Sequence, residues 1–414
     1  MDIKARIEQL LKKVVSEEKD LCLALKSHKI TLDTPKLKQF GDYSSNLSLV
    51  LSKSLNKPAL EIAQQLQCSL QKQLVRAKLK SQIEKIEVKG AGFINFFLSR
   101  DCLYEILLEI RKKGSSFGRL KQGSGKTVHL EFVSANPTGP LNVAHARQAA
   151  FGDTLASLMQ FANFRVIREY YLNDEGTQID ILRDSVRAKY LKLLGLEAKF
   201  PASGYQGKYI DDLAAQIRQR YGSRLIKENP KNLSFFARFA YSKILEGIKK
   251  DLQRFGVRFD RWFSQKSLAK QGKITKAISL LKAKGFLYQQ EGAWWLRSTK
   301  FGDDKDRVVI KSDATLTYIA ADIAYHQVKF KRNFSQIINI WGPDHHGYIA
   351  RLKAAVAALG FDQNLLTVLI VQLVSLSSAE KIIPMSTRRG EFVSLHDIIQ
   401  AVGKDVARFF FLMR

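Results

Sequence analysis

Residues 131–153, EFVSANPTGPLNVAHARQAAFGD, set proline, glycine and small polar residues between a strand-like run and a helix-like run. Such a junction can hold an anion, because open amides at a helix start point at it and the helix dipole adds about 0.3–1 kcal/mol per charge. Neither GxGxxG nor GxxxxGK[ST] is present, so composition leaves a phosphate cradle and an ordinary loop both open. His145, at the helix start, reads by itself as a cap or a surface residue. Tyr318 and Asp322 are spaced i, i+4 and share one helix face, where in isolation they read as a packing contact and a solvated charge. Asp344, His345 and His346 in WGPDHHGY raise a zinc reading, but no cysteine or third histidine stands at ligand spacing, and no metal site is expected.

Those residues need sheet edges and helix starts to position them. TVHLEFV (127–133) alternates apolar and polar residues as a strand, a helical run follows the loop, and FRVIREYYL reads as a second strand. That is the βαβ rhythm of a parallel nucleotide-binding sheet. From about 180 to 285 the pattern is mostly helical and highly charged, as in an insertion. DRVVI (306–310), SQIINIWG (335–342) and LLTVLIVQLV (365–374) are expected to supply the second half of the sheet. Ahead of all this, Ile3, Ile7, Leu10, Leu11 and Val14 fall at helical spacing, and a second helical pattern runs from residue 44 to 74. IEVKGAGFINFFL (86–98) is β-rich with glycines at its centre, so it predicts two strands and a turn. Residues 1–112 are therefore expected to form a small α+β domain, 113–126 a Gly/Ser/Lys-rich linker, and 127–414 an α/β domain.

The balance of 67 Lys+Arg against 39 Asp+Glu gives +28, which points first to a polyanionic partner, whether RNA, DNA or an anionic membrane. Hydrophobic content of 45% excludes a basic disordered tail and puts the charge on a folded surface. Three widely spaced cysteines, Cys22, Cys68 and Cys102, offer no disulfide framework and fit a reducing cytoplasm. The longest apolar stretch, 365–376, is interrupted by Thr367, Gln372 and Ser375 and is far short of the roughly 20 residues a bilayer span needs. No membrane span is expected, and the mixed-charge amino terminus lacks the apolar core of a secretory signal.

Segment 131–153 resembles the adenylate-site signature of class I arginyl-tRNA synthetases, including their form of the HIGH motif. Further segments resemble the same family in the same order: FGDYSSNLSL, GAGFINFFL, REYYLNDEGTQI, GYQGKYIDDLA, FDRWFS, DRVVIKSDATLTYIAADIAYHQVKF, NIWGPDHHGYIARLKAA and PMSTRRGEFVSL. The resemblance runs essentially end to end. It implies a class I Rossmann-like parallel sheet with a helical insertion, preceded by an α+β domain that touches tRNA. It also implies an arginine-tRNA ligase that uses ATP with Mg2+, forms arginyl-adenylate and charges tRNA(Arg), as a cytoplasmic monomer.

Residue by residue, the resemblance makes His145 a donor to ATP in the HIGH segment, beside Pro140, Asn142 and Ala144. Met385, Ser386 and Arg388 lie in the loop that closes over the phosphates. For arginine, whose guanidinium always carries charge and five donors, it implies Tyr318 and Asp322 around the side chain. Ser134 and Asn136 would meet the main-chain groups, and Glu131 and Asp344 the ammonium or the fork.

Several positions depart from the family pattern. Asn142 and Ala144 stand where the HIGH motif carries histidine and glycine, Ala314 where the family has SDG, and the loop over the phosphates lacks both lysines. Lys126, ahead of the HIGH segment, is the candidate to compensate. The family continues past VGKDVARFFFLMR into an all-helical tRNA-reading domain, so the chain is expected to lack most or all of it. A chain that binds tRNA or arginine without efficient adenylation is the alternative these departures raise.

Overall fold

The computed structural model describes residues 3–25, 29–372, 374, 377–378, 381–382, 390 and 392–413. It divides into two compact units, Met1–Gly118 and Arg119–Arg414. In the first, helix α1 (Ile3–Glu17) buries Ile3, Ile7, Leu10, Leu11 and Val14, the stripe that its 3.6-residue period predicts. It is followed by α2 (Lys19–Leu25), strand β1 (Tyr43–Ser45), α3 (Leu47–Leu55) and α4 (Ala59–Arg76). The chain then turns back on itself through β2 (Ile83–Lys89) and β3 (Phe93–Leu98), and α5 (Arg100–Lys113) closes the unit. The expected pair of strands is an antiparallel hairpin, and β1 adds to its β3 edge. The stretch expected to be helical from 44 to 74 is instead β1 and two helices, broken by Pro58 at the cap of α4.

The second unit carries a five-stranded sheet of order β11-β10-β4-β5-β6, in which every neighbouring pair is parallel. Its first elements are β4 (Thr127–Glu131), α6 (Val143–Phe161) and β5 (Arg165–Leu172). Helices α7 (Thr177–Leu193), α8 (Lys208–Tyr221) and α9 (Pro230–Arg254) intervene before the edge strand β6 (Arg261–Ser264). That strand falls inside the range expected to be an insertion, since four residues are too few to display a period. After α10 (Lys266–Lys270) and α11 (Lys273–Ala283) comes a separate antiparallel sheet, β7 (Leu287–Gln290), β8 (Ala293–Leu296) and β9 (Arg307–Ile310). DRVVI therefore belongs to this small sheet and not, as expected, to the parallel one. Helix α12 (Tyr318–Phe330), β10 (Gln336–Trp341), α13 (Ile349–Ala358) and β11 (Leu366–Ile370) complete the main sheet, and α14 (Leu395–Val402) and α15 (Lys404–Met413) follow. Among the described residues no helix is long and apolar enough to cross a membrane.

Alternation along the strands gives this sheet two different faces. Val128 and Leu130, Val166 and Tyr170, and Ile338 and Ile340 join one apolar core with Ala146, Ala149 and Ala150 of α6. The opposite parity puts His129, Glu131, Glu169 and Asn339 on the other face, all buried. Ionic groups removed from water must be paired there. Helix α12 supplies the partners: Lys329, itself fully buried, donates to Glu131 and Asn339, and Tyr325 donates to Glu169 at 2.7 Å.

Close approach of α6 to the sheet depends on Gly152, where a Cβ would fall 2.4 Å from the Phe132 ring and 2.8 Å from its Cβ. Phe132 cannot yield easily, since it is fully buried and its ring lies 4.4 Å from that of Phe259. Gly152→Ala gains about 1 kcal/mol of helix propensity but overpacks the core by about 1–3 kcal/mol. A net loss of stability is expected in chemical denaturation; an unchanged or raised midpoint would show that Phe132 can move.

Candidate active site

Counting outward from β4, the order runs to β5 and β6 on one side and to β10 and β11 on the other, so the winding reverses between β4 and β10. In parallel sheets ligands bind outside the carboxyl ends of the strands at this switch point. Glu131 closes β4 there. Its carboxylate accepts from Lys329 and, at 3.1 Å, from the Ser134 hydroxyl, which itself accepts the Tyr171 amide at 3.1 Å. The loop after β4 is strained: Val133 and Ser134 have φ of 66° and 41°, and the Ser134 amide bonds back to the Phe132 carbonyl two residues earlier. A β-branched residue at positive φ is costly and persists where surrounding contacts hold it, commonly at binding sites.

Pairing extends through α12. Asn339 accepts from Lys329 at 2.8 Å and donates its amide to His326 Nε2 at 3.0 Å, while His326 Nδ1–H donates to the Asp322 carbonyl at 2.9 Å. One turn earlier the Asp322 carboxylate accepts from the Tyr348 hydroxyl at 2.6 Å. Burial pushes Asp322 up to about 6, and the Glu131 charge adds to the rise. Around the Tyr171 hydroxyl, which donates to Gln265 at 2.9 Å, four carboxylates act together: Asp322, Glu131, Asp174 and Glu175. With Glu131 already paired with Lys329, the remaining carboxylates have the charge that suits a cation and not the nucleic acid that the surface charge of +28 favours.

At the start of α6, Asn142 caps the helix by accepting the His145 amide at 3.2 Å, and the Asn142 amide donates to His145 Nδ1 at 3.2 Å. Burial pushes His145 down to about 4, so the ring is neutral at pH 7 and carries its proton on Nε2. A neutral N–H donor and the open amides of a 19-residue helix suit an anion.

The other expected site residues fall in different places. Tyr318 begins α12, 74% exposed, and lines an open cleft of about 550 Å³ with Glu175, Gln178, Gln265 and Lys311. Asn136 is exposed in the β4–α6 loop, with half-buried Pro140 after it and half-buried Ala144 in the first turn of α6. Asp344 is exposed on the segment after β10 and lies 3.4 Å from His345. Lys126 is not at the switch point. It precedes β4 whereas Glu131 ends it, and five residues at ~3.3 Å put about 16 Å between their backbones, so Lys126 sits at the amino ends of the strands, opposite the switch point. Met385, Ser386 and Arg388 lie outside the described residues. Ala314 has a φ of 64°, a left-handed conformation that glycine adopts without strain.

Residues 105–408 match the family model described as tRNA synthetases class I (R), catalytic domain, and residues 1–98 match the arginyl tRNA synthetase N terminal domain. The chain belongs to the arginyl-tRNA synthetase family. Among relatives of the family, the arginine–tRNA ligase of Geobacter sp. (strain M21) is 46% identical over 93% of this chain and 69% of its own length. That of Bacillus subtilis (strain 168) is 44% identical over 93% of this chain and 68% of its own length. The chain thus spans about seven-tenths of these synthetases. The fold is also that of the Thermus thermophilus arginyl-tRNA synthetase, with a TM-score of 0.63 at 19% identity, covering 96% of this chain and 73% of that one.

Proposed function

We propose that the chain is an arginine-tRNA ligase, which activates arginine with ATP to arginyl-adenylate and transfers it to the 3′ end of tRNA(Arg). The observation that carries this reading is the carboxylate of Asp322, held by Tyr348 at 2.6 Å, together with Glu131 at the switch point, held by Ser134 and Lys329, whose charges meet with those of Asp174 and Glu175 at the Tyr171 hydroxyl; such a set suits a guanidinium and an ammonium. Asp322 and Tyr318 would hold the side chain, and Glu131, Ser134 and Asn136 the main-chain groups, leaving the substrate carboxylate free to attack the α-phosphate in line. His145 Nε2–H and the first amides of α6 would receive the phosphates. Magnesium bound with ATP would neutralise phosphate charge.

Arginine-dependent exchange of pyrophosphate into ATP, with tRNA present, tests the proposal. Exchange no greater than that without arginine would overturn it. In the same assay, His145→Ala is expected to lower the rate about 100-fold, as for loss of one preorganised donor, with partial recovery in His145→Gln. Equal rates in all three proteins would remove the imidazole from the chemistry.

A second reading, a chain that binds arginine or tRNA without efficient adenylation, is favoured by the commitment of Asn142 Oδ1 to capping α6. Under it, the double change Asn142→His and Ala144→Gly raises exchange from background. If the doubly changed protein gains nothing while tRNA binding is intact, the HIGH departures are not what limits the chemistry.

A further inference from the structure

We propose that Tyr348 is a positioning residue for Asp322: its phenol donates to Oδ2 and turns the remaining acceptor positions of that carboxylate toward the bound cation. The identity of the cation as arginine rests on the functional reading above. The O–H···O distance of 2.6 Å is in the range of bonds to ionised acceptors. Tyr348 is the last residue of the turn Pro343–Tyr348, which leaves the carboxyl end of β10, and it leads directly into α13. Its ring is held from two sides, with the Trp341 ring at 6.1 Å in an edge contact and the Arg351 guanidinium 4.8 Å from its centroid. A phenol fixed in this way cannot follow the carboxylate, so the carboxylate is oriented by it.

The groups that act on Asp322 come from several elements. Burial and Glu131, at the end of β4, favour the neutral acid; Tyr348 and His345 from the turn after β10, and Lys329 on its own helix, favour the anion. Tyr171 of β5 faces the same carboxylate. Of the groups favouring the anion, Tyr348 acts most strongly. Removing its hydroxyl therefore leaves Asp322 protonated over more of the working pH range. A protonated carboxyl is a poor partner for a guanidinium.

Tyr348→Phe in the full chain tests this with two measurements. The first is the titration of Asp322 by 13Cγ-aspartate NMR, with the signal assigned by its absence in Asp322→Asn. Its midpoint is expected to rise by about one pH unit. The second is calorimetric binding of free arginine between pH 5.5 and 9, expected to weaken at every pH because the carboxylate is no longer oriented, and about fivefold more at pH 6 than at pH 9 because less of it is ionised there. An unmoved carboxyl midpoint, or an arginine affinity at pH 9 equal to that of the unsubstituted protein, overturns the assignment. If the unsubstituted chain binds no arginine while the midpoint still rises in Tyr348→Phe, the functional reading fails and the positioning role stands.

Discussion

Asp322→Asn is expected to make the folded protein more stable and to abolish most of its arginine-dependent activity. The two effects have one origin. Burial raises Asp322 from 3.8 to about 6, so between those values the folded chain binds more protons than the unfolded chain. Stability therefore falls as pH rises from about 4 to 6, and above pH 6 the full penalty remains. At 1.36 kcal/mol per pKa unit the penalty is at most about 3 kcal/mol, and partial exposure reduces it to about 1–3 kcal/mol. Asparagine removes the charge but still accepts from Tyr348. Denaturation midpoints should therefore rise at pH 7, and the stability difference between the two proteins should disappear below pH 4. Against this gain, loss of one member of a desolvated charge pair costs about 2–5 kcal/mol in binding. That corresponds to a fall in kcat/KM for arginine of roughly 30- to 5,000-fold. A variant that loses stability along with activity would make Asp322 a structural residue.

The same carboxylate shows how much the sequence discloses. The i, i+4 spacing of Tyr318 and Asp322 places them on one helix face, and the strand, loop and helix around residues 127–161 are legible from period alone. Beyond these, parity hides the burial of the polar members of the sheet, Glu131 included, which only the resemblance marks as a site residue. His129, Glu131 and Asn339 alternate with Val128, Leu130 and Ile340, a pattern that ordinarily means a solvent-facing side. Here both faces are covered, and the polar parity is buried against α12. The signal lay in α12 itself, since Lys329 falls at i+7 from Asp322 and so continues its face into the interior. Residues 306–310 illustrate the opposite limit. Five residues of DRVVI specify a strand but not its partners, and the register with β8 is set by tertiary packing. Order along the chain sets Lys126 ahead of the HIGH segment, whereas direction along β4 puts it at the amino ends of the strands, away from the switch point.

Lys329→Met is expected to be the most destabilising single change near the site. The ammonium is fully buried and bonds Glu131 and Asn339, which sit on the two strands that flank the switch point. Methionine fills the space but leaves the Glu131 carboxylate buried without a counter-charge and the Asn339 carbonyl without a donor. Breaking a buried pair from one side costs about 3–5 kcal/mol, and at about 2–4 °C per kcal/mol the melting temperature should fall by roughly 6–20 °C. The charge, not the volume, is responsible, and a double variant separates the two. Lys329→Met combined with Glu131→Gln removes both charges, and replacing a buried pair by neutral groups is often nearly neutral. The double variant should therefore recover at least half of the lost stability, although the site has then lost one of its carboxylates and arginine binding should weaken. If the double variant is no more stable than Lys329→Met alone, packing of the lysine stem explains the loss, and the ion pair does not hold β4 and β10 in register at the place where the substrate must sit.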